Sequence, residues 1–354
     1  MTFEKLERIF MKTVAFHTLG CKVNTYETEA MQQLMEAAGY RCVDFSEKAD
    51  VYIINTCSVT NIADRKSRQM LHRARKMNED AIVVAAGCYV ESAKEKIDED
   101  LSIDIIVGNN NKNEIVNIIN EYLQDKNENR FIIDINKNTE YEEFNISKIN
   151  DHTRAFIKVQ DGCNQFCSYC IIPFTRGRVR SRKMENIIEE VKKLASSGYK
   201  EVVLTGIHLS SYGVDFLDES YNKRMELLTQ TEESDEEFVT KNELLNLIEN
   251  ISKVDGIERI RIGSLEPRII KEGFIKRLSE INKFCPHFHL SLQSGCNKIL
   301  KKMNRRYTAE EYRNAVEQIR KTYTYPAITT DVIVGFPEEE ESDFEETKKF
   351  LEEI

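Results

Sequence analysis

Across its first 120 residues the chain switches repeatedly between short apolar runs and amphipathic stretches, and this alternation restricts the fold more than any other feature. Apolar runs at 13–19 (TVAFHTL), 51–56 (VYIINT), 82–86 (IVVAA) and 103–108 (IDIIVG) are separated by helix-patterned segments. Near-continuous apolar runs with helices between them read as parallel strands buried on both faces. A doubly wound parallel-sheet domain of the α/β class is therefore expected over 10–125. Residues 122–152 are polar around Phe131-Ile132-Ile133, and 126–150 read as a linker with one extra strand. A second alternation starts at 155 with AFIKVQ and continues through EVVLTG (201–206), RIRIG (259–263), HFHLSLQ (287–293) and TTDVIVGF (329–336). Helical patterns at 184–197, 243–254, 268–282 and 308–322 lie between these runs. Five parallel strands each followed by a helix predict a partial (β/α) barrel over 151–354. The last residues, TKKFLEEI, fall in a helix pattern with no closing strand after them, so the C-terminal part of this barrel is expected to be truncated.

With 354 residues, 41% of them hydrophobic, the chain can bury two cores. No apolar run approaches the length of a membrane span, and MTFEKLERIFMKTV lacks the apolar core of a secretory signal. Nine cysteines, an odd number, fit reduced thiols in the cytoplasm better than a disulfide framework. The net charge of −10 is local in origin. Residues 214–243 hold ten acids against three bases, and 338–354 hold nine against two, so the remainder of the chain is net positive. An RNA partner is not excluded. The acidic stretch 214–242 reads as a solvated surface excursion.

Two sets of three cysteines carry the chemistry. Cys21, Cys57 and Cys88 each stand just past the end of a predicted strand, the edge of an open parallel sheet where ligands collect. Gly20 and Gly87 precede two of them and ease a tight turn. Cys163, Cys167 and Cys170 occupy one loop, DGCNQFCSYC, after the first strand of the second alternation. Three thiolates hold three irons of a four-iron cluster and leave the fourth iron open, whereas structural zinc takes four protein ligands. The alternatives are ordinary buried thiols for the first set and a zinc loop completed by a distant residue for the second. Cys42, Cys285 and Cys296 match neither set and read as structural thiols.

The CxxxCxxC run after a first barrel strand resembles the radical S-adenosylmethionine superfamily. HTLGCKVNTYETE (17–29), INTCSVTNIADRKSR (54–68), AAGCYVE (85–91), FIKVQDGCNQFCSYCIIPFTRGRVRSR (156–182), LTGIHLSSYG (204–213), SLEP (264–267), LSLQSG (290–295) and TDVIVGFPEE (330–339) are similar to one branch of it, the methylthiotransferases. The GCKVNTYE and VQDGCNQFCSYC wording most resembles the subgroup acting on N6-threonylcarbamoyladenosine beside the tRNA anticodon.

The resemblance implies two [4Fe–4S] clusters and two uses of S-adenosylmethionine. The cluster on Cys163, Cys167 and Cys170 would chelate the cofactor and, given an electron from a donor such as flavodoxin or ferredoxin, release a 5′-deoxyadenosyl radical. The cluster on Cys21, Cys57 and Cys88 would carry the sulfur that is methylated and moved to C2 of the adenine; the resemblance does not identify the source of that sulfur. An unactivated aromatic C–H offers no acidic proton, so no acid–base pair is expected to do this work. Tyr169, Gly206, Ser264, Glu266 and Gln293 are expected to contact the cofactor, with Gly335 as a further place of close backbone approach; the alternatives are a packed aromatic for Tyr169 and a turn-stabilising role for the others. The family's small C-terminal RNA-binding barrel, the TRAM domain, is expected to be absent from this chain.

Two basic stretches are candidates for tRNA phosphates, the alternative for each being a solvated charged face. On a helix through 63–77, Arg65, Arg68, His72, Arg73 and Lys76 share one face, opposite Ala63, Met70, Leu71, Ala74 and Met77. Arg176, Arg178, Arg180, Arg182 and Lys183, spaced mostly by two, predict an extended segment with one charged side. Rival readings keep the chemistry but change the substrate to N6-isopentenyladenosine in tRNA or a ribosomal-protein aspartate. A different class is a non-catalytic iron–sulfur or zinc module that binds RNA or senses redox state.

Overall fold

A computed structural model describes residues 12–93, 97–127, 129–137, 140–144, 154–216 and 235–354. By its internal contacts the chain divides into two units, Met1–Asp151 with Ile171–Arg178, and His152–Cys170 with Val179–Ile354.

The first unit is built on a six-stranded parallel sheet in the order β2-β1-β3-β4-β5-β6. Its strands are β1 (Thr13–Thr18), β2 (Arg41–Val43), β3 (Val51–Thr56), β4 (Ile82–Gly87), β5 (Ile105–Val107) and β6 (Arg130–Phe131). Every residue of β3 is buried, as a central strand covered on both faces requires. Its alternate side chains feed two cores. Val51 and Ile53 join Met31 and Met35 of α1 (Lys22–Ala37) and Ile118 and Ile119 of α4 (Ile115–Gln124). Tyr52 and Ile54 join Leu71 and Ala74 of α2 (Asn61–Met77) and Tyr89 and Val90 of α3 (Cys88–Ser92). Helices on both faces make the sheet doubly wound. The extra strand expected in the linker is β6, paired with β5 through Ile106 and Val107.

In the second unit β7 (Ala155–Asp161), β9 (Glu201–Gly206) and β10 (Arg259–Ile262) run parallel, and β8 (Arg180–Ser181) lies antiparallel on β7. A three-stranded parallel sheet follows, of β11 (Ser264–Leu265), β12 (His287–Leu290) and β13 (Ala327–Thr329). Only Gly263 separates β10 from β11, and a bridge between Ile260 and Phe284 continues the series. The short helix α5 (Ile172–Thr175) belongs to the first unit, and in the second the helices α6 (Met184–Ser196), α8 (Glu243–Ser252), α9 (Glu272–Ser279), α10 (Asn297–Lys302), α11 (Ala309–Thr322) and α12 (Glu341–Glu353) lie between and after the strands, giving the partial barrel. The start of α11 is fixed by a capping box between Thr308 and Glu311.

Two expectations are corrected. The run 329–336 is displaced: regular pairing covers Ala327–Thr329, and beyond it a lone bridge joins Val332 to Gln293. The Thr330 hydroxyl accounts for this, because it bonds Leu290 O at 2.6 Å and receives Leu292 N–H at 3.0 Å where a strand would use backbone. The acidic stretch 214–242 is not wholly a solvated excursion. Its residues 217–234 lie outside the described residues, but Asp235–Thr240 form a helix, α7, that buries Phe238 and Val239. Asp235 Oδ2 accepts the Gly273 N–H at 2.6 Å, and Lys271 Nζ stands 4.1 Å from the Phe238 ring centroid.

Candidate functional site

Cys21, Cys57 and Cys88 follow β1, β3 and β4, adjacent parallel strands, so all three reach the C-terminal edge of the sheet. Cys21 stands at the N-cap position of α1, without a capping bond from its side chain. Both turn glycines have positive φ, +107° at Gly20 and +97° at Gly87. A Cβ on Gly20 would stand 3.1 Å from Cys57 Sγ, which shows how closely the first turn approaches the second cysteine. A Cβ on Gly87 would meet Asn55 Oδ1 at 2.6 Å and Thr56 O at 2.8 Å. Cys57 and Cys88 are buried, and Cys21 is exposed as a residue. Desolvation pushes the Cys21 and Cys57 thiols above their ordinary pKa, against the lowering charge of Arg176. Cys21 Sγ lies 3.4 Å from Asn24 Oδ1, and Asn109 Nδ2 donates to Cys88 Sγ at 3.7 Å.

Cys163, Cys167 and Cys170 sit in the loop leaving β7, which turns through Gly162 (φ +70°) and Phe166 (φ +51°). The loop is tied to the segment after α10. Ser168 N–H donates to Met303 O at 3.1 Å, Asn304 Nδ2 to Phe166 O at 2.9 Å, and Arg305 Nη1 to Cys167 Sγ at 3.2 Å. Gln165 N–H points at Cys163 Sγ from 3.5 Å, and burial raises that thiol to about 12.

The chemistry of these donor sets fits iron–sulfur clusters. Each set supplies three thiols, and the donors aimed at Cys88, Cys163 and Cys167 are what thiolate ligands require.

Of the expected cofactor residues, Glu266 is brought to the cysteine loop. Its carboxylate lies 3.4 Å from Gln165 Nε2, 3.6 Å from His208 Nε2 and 3.7 Å from Arg305 Nη2. Burial acts to raise its pKa, but the nearby charges of His208, Arg305 and Arg268 hold it below the usual carboxylate range. Tyr169 is 40% exposed, its ring edge-on to Phe336 with centroids 6.4 Å apart. Gly206 ends β9, where a Cβ would press on Gln160 at 3.0 Å. Ser264 is exposed and pairs with His289. Gln293 is held at φ +65°, an uncommon conformation for a side chain of its size, by backbone bonds to Asp331 and Ile333. Gly335 (φ +76°) has open space where its Cβ would be. Arg305, Asn304 and His208 were not signalled by the sequence. The adjacent arginines of NRRYT, just before the capping Thr308, were the available clue.

The basic stretches behave differently from each other. Arg65, Arg68, His72, Arg73 and Lys76 are exposed along α2, as the helix pattern predicts. The second stretch is corrected. Arg176, Arg180 and Arg182 are buried and paired: Arg176 with Glu27 at 2.9 Å, Arg182 with Glu190 at 2.6 Å, and Arg180 near Asp161 at 3.9 Å. Their charges are used inside the protein, and only Arg178 of the four is exposed. Cys296, expected to be structural, is buried with its thiol 3.6 Å from Asp343 Oδ1, a carboxylate already paired with Lys298 at 2.8 Å.

The chain is similar to known proteins. Residues 157–351 match the radical SAM superfamily, and residues 13–108 match the group described as Uncharacterized protein family UPF0004. The chain belongs to the radical SAM tRNA methylthiotransferases, enzymes that work with [4Fe–4S] clusters and S-adenosylmethionine. It is 41% identical to the threonylcarbamoyladenosine tRNA methylthiotransferase MtaB of Bacillus subtilis, over 97% of this chain and 71% of that protein. It is also 41% identical to the MtaB of Aquifex aeolicus (96% and 77%), and 37% identical to the tRNA-2-methylthio-N6-dimethylallyladenosine synthase of Thermoanaerobacter sp. (97% and 69%). Among solved structures, the radical S-adenosylmethionine methyltransferase TsrM from Kitasatospora setae aligns with a TM-score of 0.61 at 14% identity, covering 97% of this chain and 71% of that one. The cobalamin-dependent enzyme OxsB gives 0.60 at 11%, covering 99% and 53%. Likenesses at this identity establish the fold.

Proposed function

We propose that this chain converts N6-threonylcarbamoyladenosine in tRNA into its 2-methylthio derivative, in the cytoplasm, with electrons from a small donor such as flavodoxin or ferredoxin. The observation that carries the reading is the pair of separate three-cysteine groups, each gathered where parallel strands end. The relatives support the choice of modified adenosine, those named for threonylcarbamoyladenosine being 38% to 41% identical and those named for the dimethylallyl derivative 35% to 37%. Among the described residues no helix is long and apolar enough to cross a membrane.

In this reading Cys163, Cys167 and Cys170 hold one cluster, and Cys21, Cys57 and Cys88 hold the other. Bound there, the clusters and S-adenosylmethionine supply hydrogen abstraction from an unactivated C–H and a methylated sulfur to replace it. The chain's own residues bind and orient. Arg305 bonds Cys167 and approaches Glu266, so one guanidinium links a cluster ligand to the buried acid. Glu266, kept ionised beside His208, is suited to the cofactor's ammonium group. The exposed basic face of α2 is suited to phosphates of the anticodon arm, where a loop adenine is reached without opening a duplex.

Nucleoside mass spectrometry of bulk tRNA from cells lacking the gene tests the substrate. We expect 2-methylthio-N6-threonylcarbamoyladenosine to disappear and its unthiolated precursor to rise. If only the isopentenyl derivative changes, the methylthiotransferase stands and the substrate is wrong.

A further inference from the structure

A buried polar network surrounds the first cysteine set, and the mechanism above leaves it without a task. Its centre is Glu27 on α1. Arg176 grips that carboxylate with both ends of its fork, Nη1 to Oε1 at 2.9 Å and Nη2 to Oε2 at 3.1 Å. The same Nη2 donates to Asn24 Oδ1 at 3.0 Å, the oxygen beside Cys21 Sγ. Asn24 Nδ2 in turn donates to Thr56 O at 2.9 Å, one residue before Cys57. On the other side Lys112 Nζ bonds Glu27 and also Asn109 Oδ1 at 2.7 Å, and Asn109 Nδ2 faces Cys88 Sγ and Thr175 O. All of Asn24, Glu27, Asn109, Lys112 and Arg176 are at most 1% exposed. Glu91, another buried carboxylate, accepts the Asn109 backbone N–H at 2.9 Å.

Burying two cations and one carboxylate is a poor way to gain stability, since apolar packing of the same volume does as well or better. The arrangement makes sense beside an anion. Three thiolates with a four-iron cluster carry net negative charge, and Arg176 and Lys112 place two cations beside them, set against the carboxylates of Glu27 and Glu91. Arg176 also comes from an unexpected place. It follows Cys170 by six residues, in the segment Ile171–Arg178 that packs with the first unit.

We propose that Arg176, clamped on Glu27 and Asn24, is a positioning residue for the site of Cys21, Cys57 and Cys88: it fixes the Cys21 turn and supplies the buried positive charge that stabilises the reduced cluster there. The inference rests on the reading that these cysteines hold a cluster. Hydrogen bonds and net charge near the sulfurs are what set a cluster's potential. Loss of the Arg176 charge therefore shifts the potential downward.

The test uses the full chain with Cys163, Cys167 and Cys170 changed to Ala, so that a single cluster is loaded. Iron and sulfide per chain and the midpoint potential from an EPR-monitored titration are measured for this parent, for Arg176→Lys, for Arg176→Gln and for Lys112→Gln. We expect a lower potential in Arg176→Gln, a smaller shift in the same direction in Lys112→Gln, and rescue toward the parent value in Arg176→Lys. If Arg176→Gln does not fold, the Lys112→Gln shift decides. Parent-like potentials in the glutamine variants that load fully would overturn the role and leave Arg176 a structural tie. A parent chain that takes up no iron and sulfide would refute the cluster assignment itself, and the inference with it.

Discussion

The two cysteine sets reach similar ends by opposite routes. Cys163, Cys167 and Cys170 lie within eight residues of one loop, so local chain geometry brings them together once β7 ends. Cys21, Cys57 and Cys88 are spread over 68 residues and meet only because β1, β3 and β4 are neighbours in one parallel sheet. The loop set leans on a few tertiary staples, chiefly Asn304 and Arg305. The sheet set leans on the fold itself, on two left-handed glycines and on a buried charge network. A site of the first kind depends on its own loop and those few contacts, and a site of the second kind depends on the order of the strands.

The largest expected effects separate the sets by metal content. Cys88→Ser and Cys167→Ser should each lose about half of the iron, because each site loads its own four-iron cluster; loss of all iron from Cys167→Ser would contradict their independence. Breaking the buried Arg182–Glu190 pair with Arg182→Gln should cost about 3–5 kcal/mol in urea unfolding. The salt dependence of tRNA binding should stay unchanged in that variant where it remains folded, because the side chain meets no phosphate. Gly87→Ala should cost about 3 kcal/mol and depress loading of the sheet set alone, since positive φ and the approach to Asn55 both oppose a Cβ. A cost below about 1 kcal/mol would mean that the turn adapts. Neutralising Arg65, Arg68 and Arg73 together should flatten the log–log salt slope of tRNA binding by about 2 if all three meet phosphates; an unchanged slope would return α2 to plain solvent exposure.

The smallest effect is a pH dependence in the second unit. Glu266 has a folded-state pKa below its unfolded value, so its contribution to stability is present above about 4.3 and is lost as pH falls through the folded value. Glu266→Gln should therefore shallow the acid limb of the stability curve. An identical acid limb in both proteins would show that the carboxylate gains nothing from His208 and Arg305.

The same contrast explains what the sequence disclosed. Parallel strands such as Val51–Thr56 were legible because burial on both faces leaves an unbroken apolar run. The cysteines of the first set were legible through topology, since each follows such a run. The edge strand β2 was missed because its three residues are half-exposed or exposed and carry no run at all. The arginines at 176, 180 and 182 misled for a related reason. The extended backbone that alternation predicts is limited to Arg180–Ser181, since Arg176 ends a helical turn and Gly177 has φ +68°, and the partners that draw these side chains inward lie far along the chain at Glu27, or nearby on other elements at Asp161 and Glu190. Charge spacing cannot tell a phosphate from a buried carboxylate. Arg305 was equally hidden, because its contact with Cys167 spans 138 residues.

The central claim is a division of labour between the two sets, and comparing Cys57→Ala with Cys163→Ala tests it most directly. Each variant is supplied with reductant, S-adenosylmethionine and unthiolated tRNA, and both deoxyadenosine and 2-methylthio nucleoside are measured. The account predicts deoxyadenosine without methylthio product from Cys57→Ala, and neither from Cys163→Ala. Normal methylthio product from Cys57→Ala, or retained deoxyadenosine formation in Cys163→Ala, would contradict it.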